Sequence, residues 1–267
     1  MEKYDINFKK RYGQNFLKDI NIVKNIVNVV SDKNDSLVIE VGPGGGILTR
    51  ELCLSFNNVL AYEIDESIKE ELNKRINDFN NIDVIYKDFL NCDISLDIKN
   101  YNYNNLYFIS NVPYYITSPI ILKIIDSNLY FNKIVMMVQK EVGNRYSSKP
   151  GNKTYGAISV ILQYFFDIKK EFNVSKNNFV PVPKVDSVVI SFTPIDRDNK
   201  VNDTKEFIRF INDCFQFKRK TIRNNLKKYD LVIVENVLKK YGFDLNSRSE
   251  ELSVDIFIDV YNNLEES

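Results

Sequence analysis

The chain has 267 residues, of which 44% are hydrophobic and 27% charged, an ordinary composition for a folded protein that argues against disorder as its main state. Lysine and arginine together number 36, as do aspartate and glutamate, which argues against a uniformly basic nucleic-acid binder but not against a local basic face. The absence of histidine excludes Ser-His and Cys-His nucleophiles and His-ligated zinc.

Cysteine usage and the N-terminal sequence bear on the compartment. Cys53, Cys92 and Cys214 form no C-x-x-C pair and predict reduced, structural thiols in a cytosolic protein. The first ten residues lack the apolar stretch of a signal peptide, and no run of about 18 apolar residues occurs. We expect a cytoplasmic monomer with no membrane span and no metal.

Short apolar runs alternate with helical spacings along the first half of the chain. The predicted helices are 19–30, 47–56 and 66–79. The predicted strands are 36–41, 59–63, 84–86, 106–110 and 134–139. Strands that alternate with helices predict an α/β fold with a doubly wound sheet.

The character of the sequence changes after Pro194. Residues 196–204 are polar and predict a linker or loop. Helical patterns follow at 205–215, 219–229, 232–242 and 254–264. We predict two domains, an α/β domain over residues 1–195 and a small all-helical domain over residues 196–267.

Glycines at 42, 44 and 46 lie in the turn after the first predicted strand. They permit close backbone approach to a ligand, although such turns also serve as plain strand–helix connections. The spacing fits the G-x-G-x-x-G array of dinucleotide binders poorly. Glu63, about 20 residues on, is placed to accept hydrogen bonds from ribose hydroxyls. Asp88 is placed to accept one from an adenine amine, and either acid is alternatively a solvated strand-end residue.

Asn111-Val112-Pro113-Tyr114 follows the fourth predicted strand and resembles the N-x-P-Y motif of methyltransferases that act on nucleobase amines. The exocyclic amine of adenine is a poor nucleophile because its lone pair is delocalised into the ring. The Asn111 side-chain oxygen and the Val112 carbonyl offer two acceptors that favour a more nucleophilic nitrogen, and Tyr114 offers a face for an extruded base. The alternative is an ordinary Asn-Pro loop turn.

Seven motifs together resemble one family. They are RYGQNFL (11–17), EVGPGGGILT (40–49), NVPYYITSPI (111–120), QKEVGNR (139–145), KPGNKTYGAIS (149–159), FVPVPKVDSVV (179–189) and FKRKTIRNNL (217–226). In this order they resemble the bacterial small-subunit rRNA adenine N6,N6-dimethyltransferases, the kasugamycin-sensitivity family. The resemblance implies a Rossmann-like S-adenosylmethionine methyltransferase domain with a small C-terminal helical domain. It implies dimethylation of two adjacent adenines in the 3′-terminal hairpin of small-subunit rRNA, within a late pre-subunit particle.

The resemblance also implies roles for single residues. The implied cofactor contacts are Asn15, Leu17, Gly42, Gly44, Glu63, Asp88 and Asn111. The implied catalytic residues are Asn111, Val112, Pro113, Tyr114 and Phe179, the last as a second stacking face or, alternatively, a core residue. The basic residues expected to contact RNA phosphates, or alternatively to form a solvated face, are Arg11, Lys218, Arg219, Lys220 and Arg223. One departure is Gly143, where alanine is more usual in the family.

Other functions remain as alternatives. An erythromycin-resistance type methyltransferase of large-subunit rRNA shares the N-x-P-Y motif, but such enzymes have lysine where this chain has Gly45. A DNA adenine methyltransferase would carry D-P-P-Y or N-P-P-Y and a larger sequence-reading domain. A non-catalytic assembly factor would have no chemical need for Glu63, Asp88, Asn111 and Tyr114. No feature specifically supports a nicotinamide oxidoreductase.

Overall fold

A seven-stranded sheet with strands between residues 36 and 194 is the main β-structure of the computed structural model, which describes residues 16–267. The strands are β1 (Phe16–Leu17), β2 (Ser36–Val41), β3 (Asn58–Tyr62), β4 (Ile82–Ile85), β5 (Asn105–Asn111), β6 (Lys133–Gln139), β7 (Phe166–Val174), β8 (Phe179–Val180) and β9 (Ser187–Pro194). The sheet order is β4-β3-β2-β5-β6-β9-β7, and β1 pairs separately with β8. The five predicted strands correspond to β2–β6.

The helices follow the strands in alternation and then dominate the C-terminal part. They are α1 (Ile20–Val27), α2 (Ile47–Ser55), α3 (Lys69–Ile76), α4 (Ile94–Ile98), α5 (Thr117–Asp126), α6 (Lys140–Tyr146), α7 (Ala157–Phe165), α8 (Thr204–Cys214), α9 (Ile222–Asn225), α10 (Leu231–Lys240) and α11 (Val254–Glu265). None of the helices within residues 16–267 is long and apolar enough to cross a membrane.

Strand pairing creates a switch point in the middle of the sheet. β2 pairs in parallel with both β3 and β5, and the chain builds outward from β2 through β3 to β4 before returning to β5 and β6. All six residues of β2 are buried, as expected for a central parallel strand covered on both faces. The carboxyl ends of β2 and β5 therefore meet where the strand order reverses, the place where open α/β sheets bind ligands.

The chain divides into two compact units, and the division differs from the predicted one at residues 144–168. The first unit holds the described residues up to Gly143 together with Lys169–Pro194, and the second holds Asn144–Ile168 with Ile195–Ser267. In the second unit, Tyr164 of α7 packs on Phe207 of α8 with ring centroids 4.9 Å apart. A segment assigned by sequence to the α/β domain thus contributes a helix to the helical core.

Arg197 holds the predicted linker in place within the second unit. Its guanidinium donates to the carbonyls of Gln163 and Tyr164 at 2.8 and 2.9 Å and to the Asp255 carboxylate at 2.9 Å. These bonds satisfy carbonyls at the C-terminal end of α7, where helical partners are missing. Of the two predicted alternatives, the residues directly after Pro194 therefore form a loop that is bonded to the second unit rather than a free linker.

The second predicted C-terminal helix, over residues 219–229, is much shorter than expected. Its helical part is α9, Ile222–Asn225. Arg219 adopts a left-handed conformation with φ 66°, and Thr221 forms an isolated antiparallel bridge with Arg248. A residue in that conformation cannot continue a right-handed helix, so the basic residues before Thr221 lie in a loop.

Gly143 has a packing reason that the sequence did not reveal. A Cβ at this position of α6 would lie 2.4 Å from Val188 Cγ1 and 3.3 Å from Ile190 Cγ2. Both neighbours are buried in β9. Glycine fits here in place of alanine because the β-branched side chains of Val188 and Ile190 lie against the helix. A close-packed interior leaves no room for an extra methyl group.

Candidate active site

A cavity of about 250 Å³ lies at the carboxyl ends of the parallel strands in the first unit. It brings together most of the site residues expected from the sequence. These lining residues are Leu17, Gly42, Gly44, Glu63, Asp88, Asn111, Val112, Pro113 and Tyr114. The parallel arrangement explains the convergence of all of these residues except Leu17 of β1, because each of the others follows or ends a strand whose carboxyl end points to the same edge of the sheet.

The glycine loop after β2 presents backbone to the cavity. Gly44 has φ +54°, and a Cβ on it would lie 2.8 Å from Phe16 Cε1. Both the conformation and the space therefore favour glycine here. The Gly44 N–H donates to Glu63 Oε2 at 3.2 Å, and the Gly42 N–H donates to the Tyr62 carbonyl at 2.8 Å. The loop is fixed against the end of β3.

Glu63 directly follows β3 and is buried, with 2% of its surface exposed. Its second carboxylate oxygen, Oε1, accepts a hydrogen bond from the Asp65 N–H at 2.9 Å. Burial raises the pKa of Glu63, and the N–H donors of Asp65 and Gly44 oppose that shift. A carboxylate has about four lone-pair sites, so each oxygen keeps capacity for a ligand hydroxyl.

Asp88 caps the short 3-10 turn Phe89–Asn91 after β4. Its Oδ1 accepts from the Leu90 N–H at 3.0 Å, and its Oδ2 accepts from Asn91 Nδ2 at 3.2 Å. These bonds fix the carboxylate at the cavity wall. Its remaining acceptor sites suit an exocyclic amine.

The N-V-P-Y turn begins at Asn111, the last residue of β5. Ser110 Oγ donates to the Val41 carbonyl at 2.6 Å, which ties the end of β5 to the end of β2. The Tyr114 hydroxyl lies 2.7 Å from Ser187 Oγ. Burial raises the pKa of Tyr114, and the contact with Ser187 opposes the shift. The tyrosine ring is thus anchored at its hydroxyl end while it lines the cavity.

Glu40 is a cavity residue that sequence reasoning missed. It lies on β2, is 1% exposed, and its Oε2 has no hydrogen-bond partner among the described residues. Burial raises the pKa of Glu40 to about 8, a shift that the Thr49 hydroxyl opposes and the Glu63 carboxylate reinforces. The sequence signal was available, because an acid inside an otherwise apolar strand is unusual.

Phe179 was predicted to be catalytic, but the structure places it in the core. It is 0% exposed and belongs to the hydrophobic core of the first unit. As a residue of β8 it pairs with Leu17 of β1. A ring with no exposed face cannot stack on a base in this arrangement. We therefore assign it to core packing, the alternative that the sequence left open.

The remaining predicted residues divide into two groups. Arg11 and Asn15 lie outside the described residues. The four residues of the second unit that were predicted to contact RNA are exposed: Lys218, Arg219, Lys220 and Arg223. The described residues contain no group of three or more His, Cys, Asp or Glu side chains arranged to hold a metal ion.

A family model described as ribosomal RNA adenine dimethylase matches residues 5–266. The chain belongs to this family. Relatives named ribosomal RNA small subunit methyltransferase A include those of Aster yellows witches'-broom phytoplasma, 43% identical over 93% of each chain, and Mycoplasma capricolum, 40% identical over 95% of this chain and 96% of the relative. The predicted family is confirmed, and with it the methyltransferase activity and the S-adenosylmethionine cofactor.

Solved structures agree on the architecture. A dimethyladenosine transferase from Plasmodium falciparum is 25% identical, with a TM-score of 0.79 over 94% of this chain and 97% of its own. The 23S rRNA methyltransferase ErmE is 23% identical, with a TM-score of 0.72 over 94% of this chain and 100% of its own, a similarity of fold alone. The predicted fold class, a Rossmann-like sheet with a C-terminal helical region, is confirmed.

Proposed function

We propose that this chain dimethylates N6 of two adjacent adenines in the 3′-terminal hairpin of small-subunit ribosomal RNA, using S-adenosylmethionine. The observation that carries the proposal is the junction of the glycine loop and the N-V-P-Y turn in one cavity. A Cβ on Gly42 would lie 3.6 Å from Pro113 Cδ, so the cofactor loop and the amine-binding turn are immediate neighbours. The names of the relatives support the small subunit as the source of the RNA.

The residues of the cavity fit this cofactor. Gly42 and Gly44 line the cavity without side chains, which suits close approach of a ligand to the backbone of the loop. Glu63 offers acceptors for ribose hydroxyls, and Asp88 offers acceptors for the adenine amine. The unpartnered oxygen of Glu40 suits the ammonium group of the methionine portion, because a buried carboxylate is stabilised by a cation. When bound, the cofactor supplies an electrophilic methyl group.

The N-V-P-Y turn activates the nucleophile. Asn111 Oδ1 and the Val112 carbonyl accept the two amine hydrogens, which localises the lone pair on N6. Tyr114 stacks on the base and holds N6 in place, with its ring fixed through Ser187. Transfer would form the bond between N6 and the methyl carbon and break the sulfur–methyl bond, with the neutral thioether S-adenosylhomocysteine as the leaving group, and the alkylated amine then gives its extra proton to water. Positioning and fixed dipoles thus account for the catalysis without a histidine.

Replacing Glu63 by alanine should weaken cofactor binding by about tenfold to a hundredfold, since hydrogen bonds to a charged group contribute about 1.5–3 kcal/mol. The change also releases the Gly44 N–H. Isothermal titration calorimetry measures the dissociation constant. Glu70→Ala removes the same charge from an exposed site on α3 and should leave it unchanged. Equal affinity of Glu63→Ala and wild type would remove Glu63 from the ribose site.

Cofactor binding at pH 7 should release a proton from Glu40. Its pKa of about 8 keeps the carboxyl largely protonated in the free protein, and a neighbouring ammonium group favours the ionised form. The affinity for the cofactor should therefore fall as the pH drops below about 8, because Glu40 must then lose a proton on binding. Calorimetry in buffers of different ionisation enthalpy measures the released protons, and Glu40→Gln should abolish the release. An identical proton count in both proteins would contradict this role.

The remaining parts of the proposal concern the RNA contacts, the substrate particle, the cellular compartment and the oligomeric state. Lys218, Arg219, Lys220 and Arg223 contact RNA phosphates, with Arg11 and Asn15 contributing to RNA and cofactor binding respectively. The substrate is a late pre-subunit particle, and the protein acts as a cytoplasmic monomer. Sedimentation of the protein alone and with small subunits tests the oligomeric state.

The function is tested by mass spectrometry of nucleosides. Unmethylated small subunits and large subunits are incubated separately with the protein and labelled S-adenosylmethionine. Labelled N6,N6-dimethyladenosine from small subunits alone supports the proposal. Label from large subunits alone would favour the resistance-type activity, and no label from either, with cofactor bound, would indicate an assembly factor without chemistry.

A further inference from the structure

The loop between α8 and α9 holds a phenylalanine in an exposed position. Phe217 is 47% exposed. The next three residues, Lys218, Arg219 and Lys220, are exposed cations. The turn closes through a hydrogen bond from the Lys220 N–H to the Phe217 carbonyl at 3.2 Å. The four residues thus form a basic turn with an aromatic ring at its start.

Buried polar groups fix this basic turn. Asn225 is 5% exposed, and its Oδ1 accepts from the Phe217 N–H at 3.1 Å. Its Nδ2 donates to the Cys214 carbonyl at 2.7 Å, and Ser249 Oγ donates to the same carbonyl. The backbone of Phe217 is therefore tied to the end of α8 and to the segment before α11. The ring is exposed on a supported backbone.

The surroundings of the ring favour one kind of occupant. An exposed aromatic ring among cations combines the two elements of single-stranded nucleic acid recognition, a π-face for a base and positive charge for the backbone. A lone exposed apolar residue needs no explanation. Here, however, three consecutive cations follow the ring, and their positive charge repels a basic partner and attracts an anionic one. Charge complementarity thus points to a polyanion with flat bases.

We propose that Phe217 stacks on one unpaired base of the substrate RNA while Lys218, Arg219 and Lys220 contact the adjoining phosphates. The inference rests on the proposed RNA contact of these basic residues and adds a base-binding position to it. A phosphate contact alone fixes position without reading a base. Stacking selects unpaired nucleotides, because a base inside a duplex offers no free face. The basic turn would therefore recognise an unpaired nucleotide next to a backbone segment.

Two substitutions separate stacking from charge. Phe217→Leu keeps an apolar side chain but removes the π-face, whereas Phe217→Tyr keeps the ring. Binding to unmethylated small ribosomal subunits is measured over a range of salt concentrations. We expect Phe217→Leu to weaken binding by about tenfold without changing the slope of log affinity against log salt. Phe217→Tyr should bind within about twofold of wild type.

A matched charge variant completes the test. Lys218→Gln should lower the salt slope by about 0.7 to 0.9, the signature of one lost phosphate contact. Thermal unfolding of each variant verifies that the fold is retained. Wild-type affinity of Phe217→Leu, or an equal loss in Phe217→Tyr, would overturn the stacking proposal. Failure of wild-type protein to methylate small subunits would instead overturn the proposed function, which this binding experiment does not test.

Discussion

Replacing Asn111 by alanine should lower the rate of methyl transfer by at least about a hundredfold while changing cofactor affinity by less than about tenfold. Loss of one fixed dipole at a reacting centre costs about a hundredfold to a thousandfold in turnover. Asn111 supplies one of the two acceptors for the target amine, and the Val112 carbonyl cannot orient the amine alone. Single-turnover transfer of labelled methyl groups to small subunits measures the rate, and calorimetry measures the cofactor affinity.

The design needs a control for damage to the turn. Tyr114→Phe removes the hydroxyl contact with Ser187 but keeps the stacking ring, so its rate should fall far less than that of Asn111→Ala. Turnover of Asn111→Ala close to wild type would exclude the amine-activating role. A parallel collapse of cofactor affinity would indicate that Asn111 mainly holds the cofactor.

The sequence predicted the central strands of the sheet, and it also predicted the edge of the sheet at which the site lies. The reason is physical. Glu63, Asp88 and Asn111 each come after a short apolar run, and parallel strands place their carboxyl ends at one edge. Local patterns therefore sufficed to bring residues far apart in the chain to one cavity. The glycine loop added its own signal, because the left-handed conformations found at Gly42 and Gly44 favour glycine.

Features that depend on distant partners were not predicted. β9 and β7 extend the sheet beyond β6, and nothing local in their sequences specifies an antiparallel neighbour. Glu40 was missed although an acid in an apolar strand is unusual, because a strand buried on both faces gives no alternation to show which side chains line a cavity. Phe179 was expected to stack because its motif resembles a catalytic one, and only its packing shows a core role.

The second unit also contains features that the local sequence pattern did not predict. Residues 219–229 have a helical pattern, yet α9 is four residues long. The Asn225 side chain binds the Phe217 N–H and the Cys214 carbonyl, which favours a turn over a continuous helix. The shift of residues 144–168 to this unit depends on Arg197 and on aromatic contacts of Tyr164. Hydrogen bonds from side chains to distant backbone carbonyls produce no periodic pattern in the sequence, so they could not be predicted from it.

Replacing Lys218, Arg219 and Lys220 together by glutamine should weaken binding to unmethylated small subunits by about a hundredfold at about 0.1 M salt. Each phosphate contact contributes about 0.7 to 0.9 to the slope of log affinity against log salt, so three contacts contribute about 2 to 3. The slope should fall by that amount, and turnover at saturating subunit should persist because the N-V-P-Y turn is unchanged. Salt titrations of subunit binding measure both quantities.

The comparison needs a variant with the same change in net charge. Lys205, Lys239 and Lys240 are exposed lysines of the same unit, on α8 and α10, and their joint replacement by glutamine also removes three positive charges. If only the overall charge of the unit mattered, both triple variants would lower the slope equally. A fall confined to the basic turn would place the phosphate contacts there, because counterion release depends on cations that touch the RNA rather than on net charge. An unchanged slope in the basic-turn variant would exclude these residues as phosphate contacts.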